Sequence, residues 1–311
     1  MLVDEEKVEI FRQHRRRLFG IAYRMLGTID EAEDILQEAY IRWHKTDAEE
    51  IETPAAWLVT VVTRLSIDRL RKAAVERQTY IGPWLPEPLI TSNAPSPEEQ
   101  VEFSSNLSLA FMVLLERLSP LERAVFLLHD VFDCAYAEIA RIIGKSETAT
   151  RQIIHRSRMR VRNDKPRFET DEKERASLIE KFSAASAAGD EKTLLSLFSD
   201  EISLRADSGG KVNASRKIVY GKERAARLFS IAGKKNITYI KPILIRVNGE
   251  IGLLNFLDGK PFAVMTFEIE DGKISALYSV MNPDKLKMLE TLDEKIINEQ
   301  VSQILNPNRL D

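Results

Sequence analysis

The residues best able to do chemistry in this chain are cationic and lie close together. Between Lys145 and Arg167 stand eight basic residues (Lys145, Arg151, Arg156, Arg158, Arg160, Arg162, Lys165 and Arg167), opposed only by Glu147 and Asp164. The formal net charge is −3, yet one concentrated positive segment is enough to bind a polyanion locally. A charge run on a helix is also the ordinary mark of a solvated face, so its setting must decide. A second candidate is Asp207, at the end of a strand-like run and beside Gly209-Gly210. There a carboxylate serves either as a pocket acid–base or as a turn former. All four histidines (14, 44, 129, 155) and Cys134 precede residue 169, leaving the C-terminal part only carboxylates, Tyr220, Tyr239, Tyr278 and amines for proton transfer. We therefore expect no enzyme and no cofactor. No His/Cys pair has ligand spacing, so no metal site is expected either. A lone cysteine excludes an internal disulfide, suits a reducing cytoplasm and, with apolar neighbours, reads as core.

The elements that must position these residues fall into blocks. Residues 4–26 carry Phe11, Leu18, Ile21, Ala22 and Met25 at helical spacing, with Gly27 as a stop. A second helix is expected from a cap at Asp30 to Lys45, and a third from Thr53-Pro54 to Ala74 with a stripe of Leu58, Val61, Val62 and Leu65. Residues 78–105 include prolines at 83, 86, 88, 95 and 97 and four glutamates without a Lys or Arg, which reads as an extended linker. Helical periodicity returns over 107–162, interrupted near Ser119-Pro120, Phe132-Asp133 and Gly144. Residues 171–188 and 190–199 are expected to be helical. Strand-like segments follow, with hairpin signals at Asn248-Gly249, Asp258-Gly259 and Asp271-Gly272. Gly221–Gly233 is expected to be a helix crossing that sheet, and 283–304 returns to helix. Nothing resembles a membrane span or a secretion signal at the N-terminus.

The basic segment sits in AYAEIARIIGKSETATRQIIHRSRMRVR, residues 135–162. Two helices meet at a turn on Gly144, Ser146 caps the second, Ala140 is small at their crossing, and Ile139, Ile143 and Ile153 fill between them. This is a helix-turn-helix, which offers its second helix to the DNA major groove. Ser146, Thr148, Thr150, Arg151, Gln152, His155 and Arg156 are then the candidate groove and phosphate contacts. Arginine can read guanine bidentately, and the start of a helix favours phosphate.

Residues 29–45 (IDEAEDILQEAYIRWHK), 53–72 (TPAAWLVTVVTRLSIDRLRK) and 118–140 (LSPLERAVFLLHDVFDCAYAEIA) together resemble the extracytoplasmic-function (ECF) class of sigma-70 RNA polymerase sigma factors. The resemblance covers residues 5–165. It implies that the first segment docks on the clamp helices of core RNA polymerase, the second opens and reads the −10 promoter element, and the third begins the domain that reads the −35 element beside the polymerase flap. Asp30, Asp34, Gln37 and Glu38 share a polar face suited to the docking role, or are acids gathered at a solvated helix start. Arg64, Asp68 and Arg71 share a face of the third helix, with Lys72 beside them, as −10 contacts. Trp57 either assists them or is core. The 45–53 loop, where that class captures a flipped base, is acidic here, and no contact in it is assigned.

The chain continues where most members of that class end. The extension resembles a SnoaL-like domain of the NTF2-like superfamily, an α+β fold with a cone-shaped pocket, as in the SigJ-like subgroup. Three segments carry this: Trp84-Leu85-Pro86-Glu87-Pro88; DSGGKV at 207–212, with Ser208 where the subgroup has glycine; and Asn282-Pro283-Asp284-Lys285-Leu286. The expected organisation is multidomain, with two all-α parts followed by an α+β one. Region 2 would occupy 1–77, a Pro-rich linker 78–105, region 4 106–168, the SnoaL-like domain 169–290 and a helical tail 291–311. The resemblance implies control in cis, with Trp84, Leu85, Pro86, Asp207, Gly209, Gly210, Lys211, Asn282, Pro283 and Asp284 as regulatory motifs. The extension would bind another part of the same chain, or an unknown small ligand. Two other readings remain at this point: a ligand-sensing DNA-binding regulator that never joins polymerase, and an NTF2-like enzyme fused to a DNA-targeting module.

Overall fold

The computed structural model describes residues 4–47, 51–90, 107–162, 171–236, 240–291 and 304. They form two compact units, Met1–Thr79 with Leu114–Lys165, and Tyr80–Val113 with Pro166–Asp311. Tyr80–Ile90 of the expected 78–105 linker and the start of the next helix thus group with the C-terminal part. The expected 291–311 tail, apart from Thr291 and Ile304, lies outside the described residues. No helix among the described residues is long and apolar enough to cross a membrane.

The first unit opens with α1 (Asp4–Leu26), α2 (Ile29–Lys45) and α3 (Pro54–Glu76). Leu18, Ala22, Met25, Leu58 and Val62 are fully buried, with Trp43. The Trp43 indole Nε1 donates to the Lys7 carbonyl at 2.9 Å, while Lys7 Nζ donates to the His44 and Thr46 carbonyls. A cation thereby sits at the C-terminal end of α2, where free carbonyls favour it. The cap of α2 is Thr28, not Asp30; Thr28 holds the extended backbone of a cap residue, and Asp30 lies in the first turn. The Thr28 hydroxyl donates to Glu31 Oε2 instead of accepting a backbone N–H.

The same unit holds α5 (Pro120–Asp130), α6 (Tyr136–Ile143) and α7 (Glu147–Arg162), preceded by α4 (Leu109–Leu115), which starts in the second unit. Ser119 and Glu122 close a capping box on α5. Gly144 takes φ +65 between α6 and α7, a conformation that glycine adopts without steric cost. Ile139, Ala140 and Ile153 are buried as expected, but Ile142 replaces Ile143 as the buried isoleucine of the α6 C-terminus. A helix presents one stripe, and the crossing at Ala140 turns residue 142 inward.

A buried ionic knot joins α3 to α5. Glu116 pairs with Arg77 and Arg123, each at 2.5 Å, while Arg123 Nε donates to the Arg24 carbonyl and Arg77 Nη2 to the Leu26 carbonyl. Burial pushes the Glu116 carboxyl up, but the two guanidinium groups outweigh it and hold it below the usual range.

The second unit carries α8 (Glu172–Ala188), α9 (Glu191–Leu197), β1 (Phe198–Asp207), β2 (Val219–Tyr220), α10 (Lys222–Asn236), β3 (Ile240–Val247), β4 (Glu250–Leu257), β5 (Lys260–Glu270) and β6 (Lys273–Val280). The sheet order is β2-β1-β6-β5-β4-β3. The β3–β6 meander is antiparallel, with both central residues of all three expected turns at positive φ. The addition to the expected meander is β1, which pairs parallel with β6. Strand alternation divides two cores. Leu253, Phe267 and Leu277 face α8–α10, while Leu254, Val264 and Val280 face Leu85, Leu109 and Leu286.

Helices α8 and α10 cross at Gly233, where an added Cβ would meet the Ser186 carbonyl oxygen at 1.8 Å. Gly233→Ala therefore forces the helices apart and should destabilise the protein by about 1–3 kcal/mol in urea denaturation.

Candidate nucleic-acid interface and linker clasp

Helix α7 exists as a presentable surface because its buried residues fall on one side. Ile153, Ile154, Ser157 and Val161 face inward, leaving Thr148, Arg151, Gln152, His155 and Arg156 exposed on one face, with Ser146 exposed at the start. Ser146 caps the helix, its Oγ accepting from Ala149 N at 3.2 Å. Thr150 does not join that face. It is 0% exposed and its hydroxyl donates to the Ser146 carbonyl, so it is packing rather than a groove contact. Arg151 lies over the Tyr136 ring at 4.6 Å, which steadies a side chain that also pairs with Glu147 at 3.7 Å. Inside the unit, Arg158 pairs with Asp130 and Arg160 with Glu122. Lys165 and Arg167 lie outside the described residues.

On α2, Asp30, Asp34, Gln37 and Glu38 are all exposed along one face, and Glu38 pairs with Arg42 at 2.5 Å. Exposed Ile41 extends that face with an apolar group. On α3 the expected residues separate. Asp68, Arg71 and Lys72 are exposed, and Arg71 bonds Asp68 at 2.8 Å. Arg64 is also exposed, but is tied to α6: its Nε donates to the Ile142 carbonyl at 2.8 Å and its Nη2 to that of Arg141 at 3.2 Å. It caps the C-terminal carbonyls of the first helix of the helix-turn-helix. Trp57 is half-buried against Trp43, ring centroids 5.6 Å apart.

The three C-terminal motifs meet around Asp207, which is 0% exposed. Its Oδ1 accepts from the Tyr80 hydroxyl at 2.5 Å and from Gly209 N; its Oδ2 accepts from Leu85 N at 2.8 Å and from Lys285 Nζ at 2.7 Å. Lys285 also donates to the Leu85 carbonyl and lies 4.1 Å from the centre of the Trp84 ring. Asn282 donates to the Tyr80 oxygen at 2.9 Å, and its own side-chain oxygen starts the short turn Pro283–Lys285 by accepting from Asp284 N. Lys211 closes the outside of the cluster on Asp284, whose carboxyl this contact holds below its usual range. Leu85, Pro86 and Pro88 are buried. Further along, Leu89 exchanges hydrogen bonds with Asn248, and Ile90 bridges Val247.

The glycines of DSGGKV are there for space as well as for positive φ: a Cβ on Gly209 would meet the Asn282 amide at 2.6 Å, and one on Gly210 would meet Ile81 at 2.9 Å. Ser208 needs no such freedom. It is not at positive φ, is buried, and accepts from Gly210 N. Sequence reasoning missed Tyr80 as a linker group, and it treated Lys285 only as part of a motif. Nothing local marks a lysine for burial.

These geometries describe a chain with two sigma-70 modules and a C-terminal NTF2-like sheet. The Sigma-70 region 2 family matches residues 10–75, and the Sigma-70, region 4 family matches 108–161. The ECF RNA polymerase sigma factor SigJ of Mycobacterium tuberculosis is 38% identical over 291 residues, covering 90% of this chain and 93% of that protein. The probable ECF sigma factor SigI of the same species is 28% identical over 284 residues, covering 90% and 94%. The SigJ crystal structure superposes with a TM-score of 0.71 at 35% identity, over 90% of this chain and 98% of that one. The chain belongs to the ECF RNA polymerase sigma factors, which act in transcription initiation.

The clasp makes two tests. Asp207→Asn strands the buried Lys285 ammonium and should cost about 3–5 kcal/mol by urea denaturation. Burial, and then the bonded Asp207 carboxylate, raise the Tyr80 phenol above its ordinary value. The unfolded chain ionises this group near pH 10, where the folded protein still holds the proton, so stability falls as pH rises beyond about 10. Tyr80→Phe should lessen that alkaline loss in thermal denaturation.

Proposed function

We propose that this sigma factor binds core polymerase through the acidic face of α2 and promoter DNA through α3 and α7, and that its C-terminal domain controls it in cis by holding the linker. The observation that carries the control is the clasp itself, in which Asp207 and Lys285 grip Tyr80 and Leu85 of the linker. Residues held there cannot at the same time lie along polymerase or DNA. Arg64 supports the same reading, because a −10 contact bonded to Ile142 and Arg141 is not free for a nucleic-acid backbone. Both contacts would open for initiation, so the described arrangement is the restrained one.

The C-terminal domain acts by contact, not by turnover. Asp207, its best acid–base candidate, has both carboxylate oxygens engaged and is closed to solvent, so no substrate proton can reach it.

Promoter-dependent transcription with purified core polymerase tests this, comparing full-length protein with truncations after Arg167 and after Lys287. A change in initiation on truncation gives the sign of the control; identical initiation by all three forms contradicts it. Arg151→Ala and Arg156→Ala should each weaken −35 binding, and each lost phosphate contact should lower the salt slope by about one. Asp34→Lys with Glu38→Lys should weaken core binding with the circular dichroism spectrum unchanged. Undiminished binding would place the dock elsewhere.

A further inference from the structure

Between the sheet and helices α8 and α10 lies a cavity of about 440 Å³, within the range of roughly 300–1,000 Å³ usual for small-molecule sites. Its walls are largely apolar, with Leu253, Met265, Leu277 and Phe229 among them. Register explains the lining. Leu253 is opposite Met265, and Met265 opposite Ser279, so alternate residues of β4, β5 and β6 all point to this side.

Two buried polar groups break the apolar wall. Asn255 is 7% exposed and Ser279 4% exposed, and both line the cavity. Neither Asn255 Nδ2 nor Ser279 Oγ has a hydrogen-bond partner among the described residues. A core normally satisfies such groups, and an unpaired amide donor is a cost that a ligand acceptor would remove. No carboxylate or histidine lines the space. Arg205 borders it, but its guanidinium bonds Ser203 Oγ at 2.9 Å and lies 5.4 Å from the centre of the Tyr278 ring. An anionic ligand would have to draw Arg205 away from these contacts, whereas a neutral one with an acceptor oxygen would meet Asn255 and Ser279 directly.

We propose that this cavity binds an uncharged, mainly apolar small molecule through a carbonyl-type oxygen facing Asn255 Nδ2 and Ser279 Oγ. The site is separate from the clasp yet adjacent to it. Ala206 and Met281 line the cavity, each directly next in sequence to a clasp residue, and Met281 N donates to the Asp207 carbonyl at 2.7 Å.

The test is calorimetric titration of the full-length protein with 2-acetylnaphthalene, and with 2-ethylnaphthalene and 2-naphthoate as controls lacking the neutral carbonyl. The ketone should bind one to one and about tenfold more tightly than either control, the scale of one good hydrogen bond. Asn255→Leu and the milder Ser279→Ala should each shrink that preference at least about threefold, and Ala232→Trp, at the half-exposed rim, should abolish binding of the ketone. Absence of ketone binding to the unmodified protein overturns the proposal. So does equal binding of ketone and hydrocarbon, tighter binding of naphthoate, or a preference that survives in both folded variants. The titration reads the cavity alone, so its failure leaves the proposed cis control standing.

Discussion

The second unit is organised around one pair of opposite charges withdrawn from water. Asp207 is fully buried and Lys285 nearly so. Such a pair is tolerable only when the remaining lone pairs and protons find partners. Here the partners come largely from the linker: the Tyr80 hydroxyl, the Leu85 amide and the Leu85 carbonyl. The linker is therefore part of the solvation shell of the pair. Releasing it would leave two charges to be met by water, so these bonds favour the held linker.

The first unit has a different logic. Its exposed faces, on α2 and α7, are single stripes left over once each helix has buried the other side. Its apolar core is joined across sequence by polar contacts at helix ends. Arg64 caps α6, and the Glu116 knot satisfies carbonyls near the end of α1. A guanidinium that reaches a helix terminus makes short, charge-assisted bonds to its free carbonyls. In the proposed opening, the Arg64 contact with α6 is the one of these that breaks.

Much of this was legible in the sequence because it rests on period and punctuation. Apolar spacing gave α1 to α3 and the four helices between 107 and 162, and the Asn-Gly and Asp-Gly pairs gave the hairpins. The class of protein followed from segments whose order matched a family. What resisted reading depended on distant partners. Thr150 has a DNA-contact type, but the helical period sets it with Ile153, Ile154 and Ser157 on the buried side of α7, where its hydroxyl bonds its own helix. Thr28 rather than Asp30 starts α2, a choice between two good capping residues that only the backbone resolves. The parallel pairing of β1 with β6 joins strands far apart in sequence, with no turn signal between them. The motifs around Asp207, Trp84 and Lys285 were visible separately, but their meeting in one buried cluster was not.

The clasp also fixes a stoichiometry. A regulator encoded on a separate chain can be outnumbered, and its grip then varies with how much of each protein the cell makes. A linker held by its own polypeptide is matched one to one at every expression level, and dilution does not loosen it. Raising the amount of this protein would multiply restrained and released molecules in the same proportion. Under the proposed cis control, its output would follow whatever shifts the balance at Asp207 and Lys285, and copy number would set only the scale.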